Sequence, residues 1–176
     1  MNFDQALQFG KTGESIIAQY FKGRGFNVLP VYEKTDKEYK GPAIYSADGG
    51  TIVAPDMLIF GKKTLWIEAK HKSAFSWHRI TQKWVTGIDA HHYREYLKVI
   101  ANSEWPIWLL FLHRTGEAKH TPDTMTSPCG LFGNDLFFLS KNINHEHKNW
   151  GKHGMVYWAH DKLKFLSTLE ELRIAA

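Results

Sequence analysis

Asp56, Glu68 and Lys70 are the residues whose types and spacing can do chemistry. Asp56 follows Pro55 inside the run Val53 to Phe60, and Glu68 and Lys70 stand two apart in Leu65-Trp66-Ile67-Glu68-Ala69-Lys70. Two apart on a strand means one face. Eleven residues lie between Asp56 and Glu68, enough to finish one strand, turn through Gly61-Lys62-Lys63 and return antiparallel. Such a hairpin gathers two carboxylates and an ammonium. Its flanks, Met57-Leu58-Ile59-Phe60 and Leu65-Trp66-Ile67, are apolar, so the charges belong in or beside a core, where they are costly unless paired or bound to a metal. Neighbouring carboxylates repel, and a hard divalent cation that prefers oxygen relieves the repulsion. Lysine cannot ligate while protonated; it can offset negative charge, position a water or stabilise a phosphate under attack.

The elements that must position these groups can be read around them. Asp4 to Lys22 predicts a helix, with Ile16, Ile17, Tyr20 and Phe21 as its apolar stripe and Gly23 and Gly25 as its stop. Glu14 lies three and seven residues before Ile17 and Phe21, which sets it on the apolar face of that helix. Gly10 and Gly13 would allow the helix, or a ligand, to come close. Phe26 to Val31 predicts a strand, and Tyr32 to Gly41 a polar stretch. Asp48-Gly49 marks a hairpin turn between Ile44-Tyr45 and Thr51-Val53. Val53 to Phe60 and Thr64 to Lys70 predict the paired strands of the site. Asp89 to Ala101 reads as a helix capped by Asp89, with Tyr93, Tyr96, Leu97 and Ile100 as its apolar stripe and His91-His92 on a wet face or against a phosphate. Ile107 to Leu112, uniformly apolar, reads as a strand buried on both faces. Leu136 to Leu139 and Met155 to Trp158 are shorter strand candidates, and Ser167-Thr168-Leu169-Glu170 reads as a capping box opening a last helix. The order indicates an α/β or α+β sheet with helices packed on it.

Pro55-Asp56 followed by Glu68-Ala69-Lys70 resembles the PD-(D/E)XK nuclease superfamily, and the motif matches in full. The resemblance runs over roughly residues 10 to 112. It implies a restriction-endonuclease-like mixed central sheet flanked by helices, and hydrolysis of DNA phosphodiester bonds with Mg2+, for which Mn2+ would substitute. Asp56 and Glu68 would be metal ligands and the Ala69 carbonyl a further one. Glu14 would be the extra acid on the first helix, acting through water, and Lys70 would orient the attacking water or help deprotonate it. Many members carry a Gln and a Tyr four apart on the helix after the lysine. The nearest equivalent here is Asp89 and Tyr93, a departure. The small size resembles the Holliday junction resolvases of the superfamily, which points to an endonuclease for branched or duplex DNA working as a homodimer; a phage or mobile-element nuclease has the same features.

Plainer readings compete. Glu68 and Lys70 suit a solvated strand with cross-strand pairing, Asp56 a turn acid after proline, and Glu14 an acid near a helix N-terminus. Lys72, His78, Arg79 and Lys83, interleaved with Phe75, Trp77 and Trp84, suit a DNA backbone with stacked bases, or ordinary surface charge around a partly buried Trp. His145, Glu146, His147, His153 and His160 could bind a transition metal, but their setting reads more easily as a polar loop. Gly10-Lys11-Thr12 lacks the upstream glycine and strand of a phosphate-binding loop. A module with the same fold that binds nucleic acid without cutting it is the rival in another class, though clustered carboxylates gain nothing in binding an anion.

The totals set the frame. The 176 residues suit one domain, residues 1–176, with no internal repeat or linker. Lysine and arginine exceed aspartate and glutamate by 22 − 18 = 4, which suits an anionic partner without requiring one. Cys129 is the only cysteine, which excludes an intramolecular disulfide and a Cys-based zinc site. Met1 to Gln5 shows no signal-peptide pattern, and Trp105 to Leu112 is too short to span a bilayer. A cytoplasmic protein with no membrane partner is therefore expected.

Overall fold

The computed structural model describes residues 3–31, 43–114, 118, 121–122 and 124–174. The polar stretch Tyr32 to Gly41 lies outside them. The chain runs through α1 (Phe3–Lys22), β1 (Asn27–Pro30), β2 (Ala43–Tyr45), β3 (Thr51–Val53), β4 (Met57–Phe60), β5 (Leu65–Lys72), β6 (Ser76–His78) and β7 (Lys83–Asp89). It continues through α2 (Ala90–Asn102), β8 (Ile107–His113), β9 (Gly130–Asp135), α3 (Leu136–Ser140), β10 (His145–His147), β11 (Met155–Ala159), β12 (Lys164–Ser167) and α4 (Leu169–Ile174). Among the described residues no helix is long and apolar enough to cross a membrane.

The fold is mixed α+β, with a central six-stranded sheet ordered β1-β4-β5-β8-β9-β12. Only β5 and β8 run parallel; the other neighbours are antiparallel. A second, four-stranded antiparallel sheet is ordered β10-β11-β7-β6, and β2 and β3 form a separate hairpin. Parallel neighbours need a long crossover. Here that crossover contains α2 together with β6 and β7, so the second sheet is built partly from the connection between the two central strands.

Alternation along β5 and β8 divides the core in two. Ile67, Ala69, Leu110 and Leu112 face one way, onto Ile17 and Tyr20 of α1 and Leu172 of α4. Trp66, Leu109 and Phe111 face the other way, onto Tyr96 and Val99 of α2, Leu136 and Leu139 of α3, and Ile88, Val156 and Trp158 of the second sheet. This is why Ile107 to Leu112 is apolar without a break: both of its faces are covered. Gly13 is where α1 meets β5. A methyl group there would lie 2.5 Å from His71 Cβ, so the helix can sit this close only with glycine. Gly10 has open space in the same place, so only half of the expected glycine pair serves packing.

Several elements differ from the sequence reading. Val53 to Phe60 is not one strand. Val53 ends β3, Ala54 to Asp56 turn, and β4 begins at Met57, since Pro55 has no N–H to give a ladder. Leu136 to Leu139 is a helix, not a strand. Asp135 caps it, its carboxylate accepting from the Phe137 and Phe138 amides at 2.9 and 3.2 Å, and the strand lies just upstream as β9. The last capping box sits one residue later than expected. Glu171 N donates to Thr168 Oγ1 at 3.1 Å, and Thr168 N donates to Glu171 Oε2 at 3.0 Å. The Asp89 cap is present as read, accepting from His91 N at 2.7 Å.

Candidate active site

β4 and β5 pair from Ile59 with Leu65 to Met57 with Ile67 and then separate. Past that point, among the described residues, β5 has no strand on its β4 side, and Glu68, Ala69 and Lys70 face an open edge. Asp56 fills it. Its Oδ2 accepts from Ala69 N at 2.8 Å, while its backbone carbonyl accepts from Val31 N at 2.9 Å. A strand residue presents N–H and C=O to the same edge, so the Ala69 carbonyl is directed to the side where Asp56 lies.

Glu68 has no solvent exposure. Among the described residues neither of its carboxylate oxygens receives a hydrogen bond of ordinary geometry; the Lys70 ammonium stands against Oε1 as an ion pair. The Lys70 ammonium and the Tyr96 hydroxyl lie within reach of it, fewer donors than a buried carboxylate normally collects. Asp56 faces it closely enough for a hydrogen bond once either group is protonated. Burial first, and the Glu68 charge second, push the Asp56 pKa up to about 7, against the opposing pull of Lys70 and the Ala69 amide. Burial works against the Lys70 charge, but Glu68 and Asp56 outweigh it and hold its pKa above that of an ordinary lysine.

Glu14 reaches the same centre from α1. Burial, then the Asp56 charge, raise its pKa, while Lys70 and Lys11 lower it. A cavity of about 370 Å³ opens beside it, lined by Lys11, Glu14, Ser15, Ala18, Pro30, Asp56 and Met57. Among the described residues no three His, Cys, Asp or Glu side chains converge closely enough to cage an ion. Asp56 and Glu68 form a pair, with Glu14 set back. The same holds for His145, Glu146, His147, His153 and His160, which do not gather into a ligand set. Gly13→Ala should displace α1 from β5 and carry Glu14 with it. We expect a loss of about 1–3 kcal/mol in stability, the usual cost of overpacking, measured by denaturant unfolding.

Two residues of α2 outside the candidate ligand set face this centre: Tyr96, read as part of the apolar stripe, and His92, read as a wet-face or phosphate-contacting residue. Tyr96 is buried, and desolvation followed by the Glu68 and Asp56 charges raises its pKa well above that of ordinary tyrosine. The His92 pKa is lowered, by burial first and Lys70 second, with Asp89 and Asp56 opposing. Their rings lie 5.9 Å apart, one turn of α2 from each other. Asp89 and Tyr93 do not fill these places: Asp89 is the helix cap, and the Tyr93 ring lies against Trp158 at 5.8 Å. The four-residue spacing of His92 and Tyr96 was the available signal, hidden because Tyr96 also counted towards the apolar stripe.

The basic candidates separate. Lys72 continues the face of Glu68 and Lys70 along β5, and burial, then Lys70, lower its pKa to about 8. His78 stacks on His145 with ring centroids 3.9 Å apart. Lys83 is paired with Asp161 at 2.7 Å, and Arg79 lies in the exposed turn after β6. Phe75 and Trp84 are core residues at 1% and 9% exposure, so they are closed to bases.

No protein-family model matches the chain, and no curated protein sequence matches it. Among solved structures the chain is similar to Archaeoglobus fulgidus Hjc, a Holliday junction resolvase from an archaeal hyperthermophile, at 9% identity and a TM-score of 0.48, over 95% of this chain and all of that one. A likeness this distant leaves the functional argument to the site itself.

Proposed function

We propose that the chain is a single-domain nuclease that hydrolyses DNA phosphodiester bonds with a divalent ion, Mg2+ or in its place Mn2+. The observation that supports this best is Glu68: a fully buried carboxylate, short of donors, beside a second acid that shares its charge problem. Asp56, Glu68 and the Ala69 carbonyl form an all-oxygen donor set of the kind hard cations take, and Glu14 would join from one shell further out. A bound ion would supply charge neutralisation and Lewis-acid polarisation at the phosphate.

The protein's own groups do the rest. Lys70, kept charged by its acidic neighbours, orients the attacking water and offsets charge developing on the phosphate. In the ion-free site it is too firmly protonated to act as a base. Lys72, beside it, attracts the substrate backbone, and the Tyr96 hydroxyl and the His92 ring border Glu68 and Lys70 from α2. A duplex or branched DNA substrate and a homodimer belong to the same proposal, since two matched cuts call for a two-fold arrangement.

The test is incubation of plasmid, linear, flapped and four-way DNA with purified protein, with Mg2+, with Mn2+, and with excess chelator. Cleavage that requires the ion is expected, and chelator should abolish it. Intact substrate under every condition would favour the binding module that keeps the fold without the chemistry.

A further inference from the structure

The hairpin joining β10 and β11, residues 147–154, takes no part in the site described above. Its tip carries Trp150 at 62% exposure, with Lys148 and Lys152 on either side, both exposed. Among the described residues no carboxylate pairs with either lysine. The nearest acid in sequence, Glu146, lies on β10 and not at the tip. An aromatic ring held in solvent between two cations suits a nucleobase with its phosphates.

The hairpin is also held in place. Trp150 N donates to His147 O at 3.4 Å, and the His147 and Trp150 rings lie 6.0 Å apart. Gly154 has φ +82°, and a methyl group there would meet the His147 and Lys148 carbonyls at 3.1 and 3.2 Å, so the turn needs glycine. The Gly154 carbonyl accepts from Ala90 N at 3.0 Å, which pins the hairpin to the first residue of α2. The His153 ring lies 5.4 Å from His91, and His91 lies 5.9 Å from His92, whose pKa feels the Lys70 and Asp56 charges. The hairpin and the acidic centre thus lie against the same first turn of α2.

We infer that this hairpin is a nucleic-acid contact in which Trp150 stacks on an unpaired base while Lys148 and Lys152 hold the adjoining phosphates. The inference rests on the nuclease reading and sharpens it, to a substrate with a single-stranded arm, gap or branch near the cleaved bond. A base within an intact duplex already has both faces stacked, so the exposed indole favours a strand whose bases are free.

Binding should be measured by fluorescence anisotropy, without divalent ions, on a duplex and on the same duplex bearing a single-stranded arm. Wild type is expected to prefer the arm. Trp150→Ala should weaken binding to the arm-bearing DNA about tenfold, within the range for loss of one stacked base, and leave duplex binding nearly unchanged. Trp150→Phe should restore most of the loss. A 2-aminopurine placed in the arm should be quenched by wild type and not by Trp150→Ala, and matching melting temperatures will show that the variants are folded. Equal binding by wild type and Trp150→Ala, an equal loss on both DNAs, or no DNA binding by wild type would each overturn the inference. The first of these is also what a protein-docking role for the tip would give. Cleavage is scored separately. Wild type that cuts while Trp150→Ala binds normally sinks this inference alone, and wild type that never cuts but loses arm binding through Trp150→Ala sinks only the nuclease reading.

Discussion

Asp56→Ala should lower ion-dependent cleavage by about a hundred- to a thousandfold, the range seen when a group that stabilises developing charge is removed. Asp56 is both a proposed ligand and the group that holds the Ala69 amide at the open edge of β5, so its loss removes a donor and loosens a second. The measurement is the initial rate of Mg2+-dependent cleavage, with folding checked by circular dichroism and binding by anisotropy. Lys70→Ala should lose activity to a similar extent but be a less stable protein. Glu68 is fully buried, and Lys70 is its ion-pair partner. Removing one member of such a pair leaves an uncompensated charge and costs about 3 kcal/mol or more. Lys70→Ala must therefore be assayed at a temperature where it is still folded. Cleavage at the wild-type rate by either folded variant would remove the residue from the site.

The second large effect runs the other way: Asp56→Asn should make the ion-free protein more stable at pH 8. The folded-state pKa of Asp56 is about 7, against an ordinary value of 3.8. Between those values the folded protein holds a proton that the unfolded chain has released, so stability falls as pH rises from about 4 to 7. The full shift corresponds to roughly 4 kcal/mol at 1.36 kcal/mol per pKa unit. Coupling to Glu68 and relaxation of the site make a gain of about 2–4 kcal/mol the expected result for Asn. Denaturant melts of both proteins at pH 5 and pH 8, in chelator, will measure it. The gap should be small at the lower pH and wide at the higher one. Divalent ion at pH 8 should stabilise wild type by binding the folded state alone, and should do much less for Asp56→Asn. A wild type whose stability does not fall between pH 5 and 8 would show that the two carboxylates do not compete as described.

The hairpin that gathers Asp56, Glu68 and Lys70 was legible because its signals are local: a period of two, a short turn, and apolar flanks. The first and second helices were legible from their stripes and, for α2, from the Asp89 cap. The four residues Leu136 to Leu139 were not. An apolar run that short carries no period, and it is the Asp135 carboxylate, capping the Phe137 and Phe138 amides, that makes it helical. The second sheet was hidden for a different reason. Its central pairing sets Met155 opposite Asp89 and Ala159 opposite Val85, a long-range match between short strands that no local pattern announces. That sheet covers Trp84 and draws His78 onto His145, while Phe75 is closed in by His113, Phe132 and His160; Trp150, beyond the resembling region, is one of several exposed aromatics. His92 and Tyr96 were missed because α2 has two buried sides, and a stripe read as one face could not divide them.

The crossover between β5 and β8 has a consequence for how this chain can be cut or rebuilt. Because α2 leans on β11 and is fastened at its first residue by Gly154, the final third of the polypeptide is the buttress of the helix that borders the acids. A shortened version ending after β8 would keep every residue of the motif. It would leave that helix without its backing and the central sheet with a raw edge where β9 belongs. Engineering of this scaffold has room at the β2–β3 turn and little in that final third.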